Sequence, residues 1–308
     1  MTSLRFSCPS VVANRGEPLP RKMAEIKALA RLVVPEGADR IAPPVIAEGG
    51  DAGAWADFFR FQSRLEEIMT APGTSVAHRV IRALNWLDLI DKAGTADLKG
   101  STLDEVLEAL SKSAGRNTPR DLGSVEPPGG ASRSPFRLLL LQYARKDTGA
   151  HLQKIWPYRW KLLKSAIRFT VGAGEIPVLQ EGFKPARFAE LEKPFGGVPD
   201  LGEEMLARYF RVKIEGIHFC GPAYYNLPFI EGFRHLALLF AATLWLARWR
   251  AAGENRAALT FEDVAFAIAT ADHPHGYAPA FGSANFRRRA RLLAKAGEIQ
   301  RLVAWYAR

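Results

Sequence analysis

Phe229-Ile-Glu-Gly-Phe-Arg-His-Leu-Ala-Leu-Leu-Phe-Ala-Ala-Thr-Leu-Trp-Leu-Ala-Arg-Trp-Arg-Ala-Ala252 is the stretch whose reading decides the fold. From Leu236 to Ala247 only Thr243 interrupts the apolar run, and neither Pro nor Gly breaks it. A helix that is apolar all round belongs in a core, because a surface helix keeps one polar face. The twelve residues of the run fall short of a bilayer span, and Arg234, His235, Arg248 and Arg250 flank them closely. The expectation is a central helix with no transmembrane segment, wrapped by other helices.

Outward from this stretch, other helical patterns appear. Trp55, Phe58, Phe59, Gln62, Leu65, Ile68 and Met69 fall at helical spacing until Pro72-Gly73 stops them. Thr74 or Ser75 caps a helix over about 75–92, and Ser101 or Thr102 caps one carrying Leu103, Val106, Leu107 and Leu110. Further helices are predicted at about 21–32, 136–146, 151–170, 201–216 and 261–271, the last capped by Thr260, with a basic C-terminal helix from about Ser283. Strand patterning is nearly absent. The predicted class is all-α, a compact multi-helix bundle with irregular Pro/Gly-rich loops.

The predicted organisation has four parts: an irregular N-terminal arm over 1–50, a helical region over 51–114, a linker or mobile loop over 115–135, and a helical domain over 136–308. The linker is read from GRNTPRDLGSVEPPGGASRSP, where Pro, Gly, Ser and Arg displace apolar periodicity.

Composition excludes several classes. With 48% hydrophobic and 24% charged residues, the chain is neither disordered nor a coiled-coil rod. Its two cysteines, Cys8 and Cys220, make no disulfide framework and no four-cysteine metal site. Met1 to Cys8 holds no apolar stretch of signal-peptide length, so a cytoplasmic location is expected.

The net charge of +10 is unevenly spread. Residues 134–168 carry eight bases and one acid, and residues 281–308 seven bases and one acid. Lys154, Lys161, Lys164 and Arg168 share a helical stripe, interleaved with Trp156, Tyr158 and Trp160. Arg287, Arg288, Arg291 and Lys295 form a second stripe, opposite Phe286, Ala290, Leu293 and Ala294. Such stripes suit phosphate or acidic partners; a solvated helix face is the plainer reading.

Two pairs carry metal-ligand chemistry, His218-Phe-Cys220 and His273-Pro-His275. If they met in space, two pairs would complete a tetrahedron for zinc. A buried Cys220 beside a hydrogen-bonded His218 is the alternative. Asp272 precedes His273 and is placed either to orient its imidazole or simply to end a helix. Val171-Gly-Ala-Gly174 lacks the spacing of a dinucleotide-binding loop. Glu203-Glu204 suits the start of a helix.

The N-terminal Arg5-Phe-Ser-Cys-Pro-Ser-Val-Val-Ala-Asn-Arg-Gly-Glu-Pro-Leu19, with Ser7-Cys8-Pro9 at its heart, resembles a segment of the flagellin lysine-N-methylase and CxxCxxCC-type zinc/iron-chelating family. Trp55-Ala-Asp-Phe-Phe59 through Arg82, Phe229-Ile-Glu-Gly-Phe233 through Arg248, and Phe261-Glu-Asp-Val264 through Asp272-His273 are similar to later family segments in the same order. The CxxCxxCC cluster itself is missing, so the chain reads as the portion after it, either because the module is lost or because the true start lies upstream. The resemblance implies Cys8 as a remnant metal ligand. It further implies an iron–sulfur or zinc cluster and S-adenosylmethionine where the missing module is present, with no cofactor expected in this chain alone. The expected function is a scaffold or binding domain without independent catalysis. The alternatives are a protein-lysine methyltransferase and a binder of nucleic acid or an anionic surface. A protein substrate or acidic partner is favoured over nucleic acid.

Leu239→Ala should cost about 2–5 kcal/mol in denaturant melts, the range for a truncated core leucine. A loss under about 0.5 kcal/mol is the surface value and would remove the central helix from the core.

Overall fold

The computed structural model of the chain describes residues 42–95, 98–145, 155–295 and 297–308, with residues 155–159 as backbone alone. Cys8, Lys154 and the helix expected at about 21–32 lie outside these residues, as do the side chains of Trp156 and Tyr158. Among the described residues the fold is all-α: eleven helices and no strand, with two isolated bridges, Glu175 to Arg187 and Gly221 to Leu227.

Three N-terminal helices come first: α1 (Trp55–Thr70), α2 (Val76–Ala93) and α3 (Gly100–Asn117). Ser75 caps α2 by accepting from the His78 N–H, and Gly94 ends it in the left-handed region at φ 61°. On α1 the inward stripe is Phe58, Phe61, Leu65, Ile68 and Met69, whereas Phe59 is exposed. Phe61 takes the inward place expected for Phe59 because α1 is flanked by α2 and α3 and by a later helix, α7 (Asp200–Glu215). The buried Gln62 amide bonds the Ile214 and Glu215 carbonyls at that helix's end, at 3.0 and 3.2 Å.

Between α3 and α7 lie α4 (Gly130–Ala144), α5 (Ile155–Val171) and the single turn α6 (Phe188–Leu191). The stretch 115–135 holds the end of α3, a 3-10 turn at Leu122–Ser124 and the first turn of α4. It is tied to the C-terminus where the Gly129 N–H donates to Glu298 at 2.9 Å and Arg301 pairs with Glu126. Leu65, Leu84 and Leu107 before this stretch and Leu139, Leu206 and Leu244 after it belong to one hydrophobic core.

The centre of that core is α8 (Phe229–Gly253), with the length and apolarity of a membrane span and 94% of its most apolar window buried inside the protein. It packs against α2, α4, α6 and α7's neighbour α9 (Phe261–Asp272), and against the last two helices, α10 (Ala284–Lys295) and α11 (Glu298–Ala307). Its first N–H groups, which no helix satisfies internally, are met by the chain before α1: Phe229 and Ile230 donate to the Val45 and Ile46 carbonyls at 2.9 and 3.0 Å. The end of the N-terminal arm is therefore anchored. The basic C-terminal stretch is two helices rather than one, because Gly297 adopts φ 68° between them.

Arg248, on α8, is fully buried, and among the described residues it bonds no Asp or Glu side chain. Its Nη1 donates to the Leu191 and Lys193 carbonyls at 2.8 and 2.9 Å, and its Nη2 to Trp305 and Arg308 at 2.9 and 2.7 Å. Phe195 and Tyr306 present their rings 5.2 Å away. Burial pushes its pKa down to about 10, so it stays charged at neutral pH.

Arg248→Met leaves four main-chain oxygens without their donor, and urea melts should show a loss of at least about 3 kcal/mol. Arg248→Lys should recover less than half of it, since one ammonium cannot reproduce the planar fork. Full recovery by Lys would reduce the site to charge alone.

Candidate functional site

The outer face of α5 departs from the normal helix pattern. Its inner face packs on α4, and Phe169 is buried edge-on to Phe188 at 5.3 Å, with Ser165 also buried. The opposite face carries Trp160, Leu163, Ile167 and Val171 at 60, 51, 57 and 64% exposure, half of the eight large apolar side chains exposed in the described residues. The spacing of three, four and four puts them in one stripe. Lys161, Lys164 and Arg168 run alongside, exposed and without an acidic partner among the described residues. Helix and cations form one wall of a groove of about 940 Å³, whose other wall is Glu175, Ile176, Pro177, Val178 and Pro185. The α5 helix contains no acid.

The second basic stripe divides. Phe286, Ala290 and Leu293 face the core as expected. Arg287 and Arg291 turn onto the buried Glu231 of α8 at 3.1–3.4 Å, and Arg291 also reaches Glu48 at 2.6 Å. Burial raises the Glu231 pKa, but the hydrogen bonds from Arg291 and Arg287 outweigh it, so the carboxyl titrates below its usual range. Arg288 and Lys295 remain exposed with no acidic partner among the described residues.

The four histidine and cysteine ligand candidates are not brought together, and among the described residues no three His, Cys, Asp or Glu side chains form a metal-holding group. Cys220 is fully buried against Gly232 of α8, and burial pushes its thiol pKa up, leaving a neutral packing group. His273 is exposed at the end of α9. His218 is half-buried over Gly216, its pKa lowered by burial and by the Lys213 charge. His275 is buried, stacked on Tyr224 at 4.7 Å, with its Nδ1 3.3 Å from the Tyr143 hydroxyl.

Around His275 lies a polar cluster that no local spacing announces. Tyr143, Tyr209 and Tyr224 are buried, and burial keeps their phenols protonated. Asp272 accepts from the Tyr209 hydroxyl at 2.7 Å and pairs with Lys213 at 2.6 Å, rather than orienting His273. His235 of α8 is fully buried, edge-on to Tyr224 at 5.9 Å, with neither ring nitrogen hydrogen-bonded. These residues come from separate segments, so only tertiary folding unites them.

The chain matches no protein-family model, no curated protein and no solved structure.

Burial lowers the His235 pKa from 6.5 to about 4, against the opposing pull of Glu231. The unfolded chain thus binds the proton first as pH falls. The stability due to a neutral His235 is complete above pH 6.5 and is lost between 6.5 and about 4, to a total of roughly 3 kcal/mol. Urea melts from pH 7 to 4 should show a shallower decline for His235→Phe than for the parent. Parallel declines would place the imidazole in water.

Proposed function

We propose that the chain is a helical binding domain that docks an acidic, amphipathic helical segment of a partner protein along the α5 groove. The observation that carries this reading is the exposed stripe of Trp160, Leu163, Ile167 and Val171 set opposite the buried face and edged by Lys161, Lys164 and Arg168, which have no acidic partner among the described residues. Exposed apolar stripes of this kind cost solubility unless something covers them. A concave apolar groove receives the apolar side of a helix, and the cations at its edge select acidic residues flanking that side. Trp160 is the single aromatic side chain lining the groove among the described residues, and the facing wall carries proline, isoleucine, valine and Glu175, which favours a peptide over nucleic acid, whose binding calls for a run of stacking platforms along a cationic track.

Following the resemblance of its N-terminal, Trp55, Phe229 and Phe261 stretches, we read the chain as the helical portion of a cysteine-cluster-family protein. In that reading this portion holds a protein substrate and methyl transfer belongs elsewhere. Labelled S-adenosylmethionine with flagellin should give no label transfer by this chain, and transfer would establish the methyltransferase alternative.

Docking is tested by fluorescence anisotropy with a labelled synthetic helix carrying leucine at i, i+3, i+4 and i+7 and glutamate elsewhere. Saturable binding is expected, weakening with salt. Joint charge reversal, Lys161→Glu with Lys164→Glu and Arg168→Glu, should weaken it about tenfold, as three edge charges at about 0.5 kcal/mol each imply. Equal affinity of parent and variant, or binding of anionic vesicles or RNA in place of the peptide, would overturn the reading.

A further inference from the structure

The face where α10 lies on α8 carries a second, unrelated arrangement. Arg287 and Arg291 are one helical turn apart, and both are held by the buried carboxylate of Glu231. Those bonds engage Nε and Nη2 of each guanidinium and leave each Nη1 free of Glu231. A carboxylate behind two arginines fixes their planes in advance, so a ligand meets donors that need little ordering. Arg287, Arg288, Arg291 and Lys295 line a groove of about 490 Å³, within the size range of small-molecule sites.

The charges there decide what kind of ligand fits. Glu231 and Glu48 compensate Arg287 and Arg291. Among the described residues Arg288 and Lys295 have no acidic partner, two positive charges against the −1.5 to −2 of a phosphate monoester at neutral pH.

Behind the groove is a smaller cavity of about 140 Å³, and Glu48 and Arg291 line both. Its other polar walls are Asp91, Glu231, Arg234 and His235. The carboxylates repel a phosphate and accept hydrogen bonds from hydroxyls. His235 is fully buried, with both ring nitrogens closed off from solvent, so the polar groups open to the chamber are Glu48, Asp91 and Arg234. The outer groove thus suits a dianion, and the inner chamber a neutral group rich in hydroxyls.

We infer that the α8–α10 face is a binding site for a small phosphate monoester with a hydroxylated body, its phosphate on Arg287, Arg288, Arg291 and Lys295 and its hydroxyls in the chamber edged by Glu48 and Asp91. The site is independent of the α5 groove, with which it shares no residue.

Isothermal titration with glucose 6-phosphate, glycerol 3-phosphate, inorganic phosphate and glucose tests it. At least one of the two esters should bind about tenfold or more tighter than inorganic phosphate, with glucose alone weakest. Arg288→Glu with Lys295→Glu, both exposed and outside the core, should weaken the ester about tenfold or more while leaving the melting curve unchanged. Asp91→Asn, at an exposed position of the chamber, should remove most of the ester's advantage while leaving affinity for inorganic phosphate and the melting curve as they were. Absence of saturable binding by either ester, equal affinity for ester and inorganic phosphate, or salt-sensitive binding of an oligonucleotide without binding of either ester would each overturn the inference.

Discussion

A single guanidinium closes the fold. Arg248 sits in the core with its charge met by four main-chain oxygens from two segments, 191–193 and 305–308. Those oxygens lie at the end of α6 and the end of α11, where a helix leaves its last acceptors unsatisfied. A neutral side chain there would strand them, and a carboxylate would repel them. The central helix therefore does more than supply apolar surface: it terminates two other helices. With α11 fixed in this way, Leu302 and Val303 complete a core to which α2 also contributes, and Gln300 reaches Asp88 of α2 at 3.0 Å.

The same device recurs at smaller scale. Helix ends are finished by groups far away in sequence: Val45 and Ile46 at the start of α8, Gln62 at the end of α7, and Glu203, which accepts from the Val76 N–H at 2.7 Å at the start of α2. Long-range caps of this kind set helix ends and helix neighbours at once. They explain how an all-α chain with Pro- and Gly-rich connections keeps one core across the stretch 115–135.

This division also explains what the sequence made legible. Local signals did well: the apolar run that became α8, the Ser75 and Thr260 caps, and the apolar side of α10 all follow from spacing alone. Long-range polar pairing was not legible. Arg248 reads as a flanking charge, Glu203 as a helix-start acid, and Asp272 as a neighbour of His273, yet each has its partner 50 or more residues away. The His and Cys pairs, too, are not gathered into one group among the described residues. Two residues apart in a turn, one side chain of each pair goes inward and the other toward solvent: Cys220 is buried with His218 only half-buried, and His275 is buried with His273 exposed.

The two basic segments show how charge excess separates into structure and surface. On α10, half of the stripe is spent on Glu231, because a carboxylate buried in α8 requires counter-charges at hydrogen-bonding distance. On α5 no buried acid among the described residues lies beneath the stripe, and Lys161, Lys164 and Arg168 are exposed. Sequence spacing cannot distinguish the two cases, since both helices show cations on one side and apolar residues on the other. The difference lies in which apolar face is covered. On α10 it is buried against α8, and the cations border that contact. On α5 a second apolar stripe, opposite the buried one, stands in water with the cations beside it. An uncovered stripe edged by free charge is the arrangement that association, rather than folding, completes.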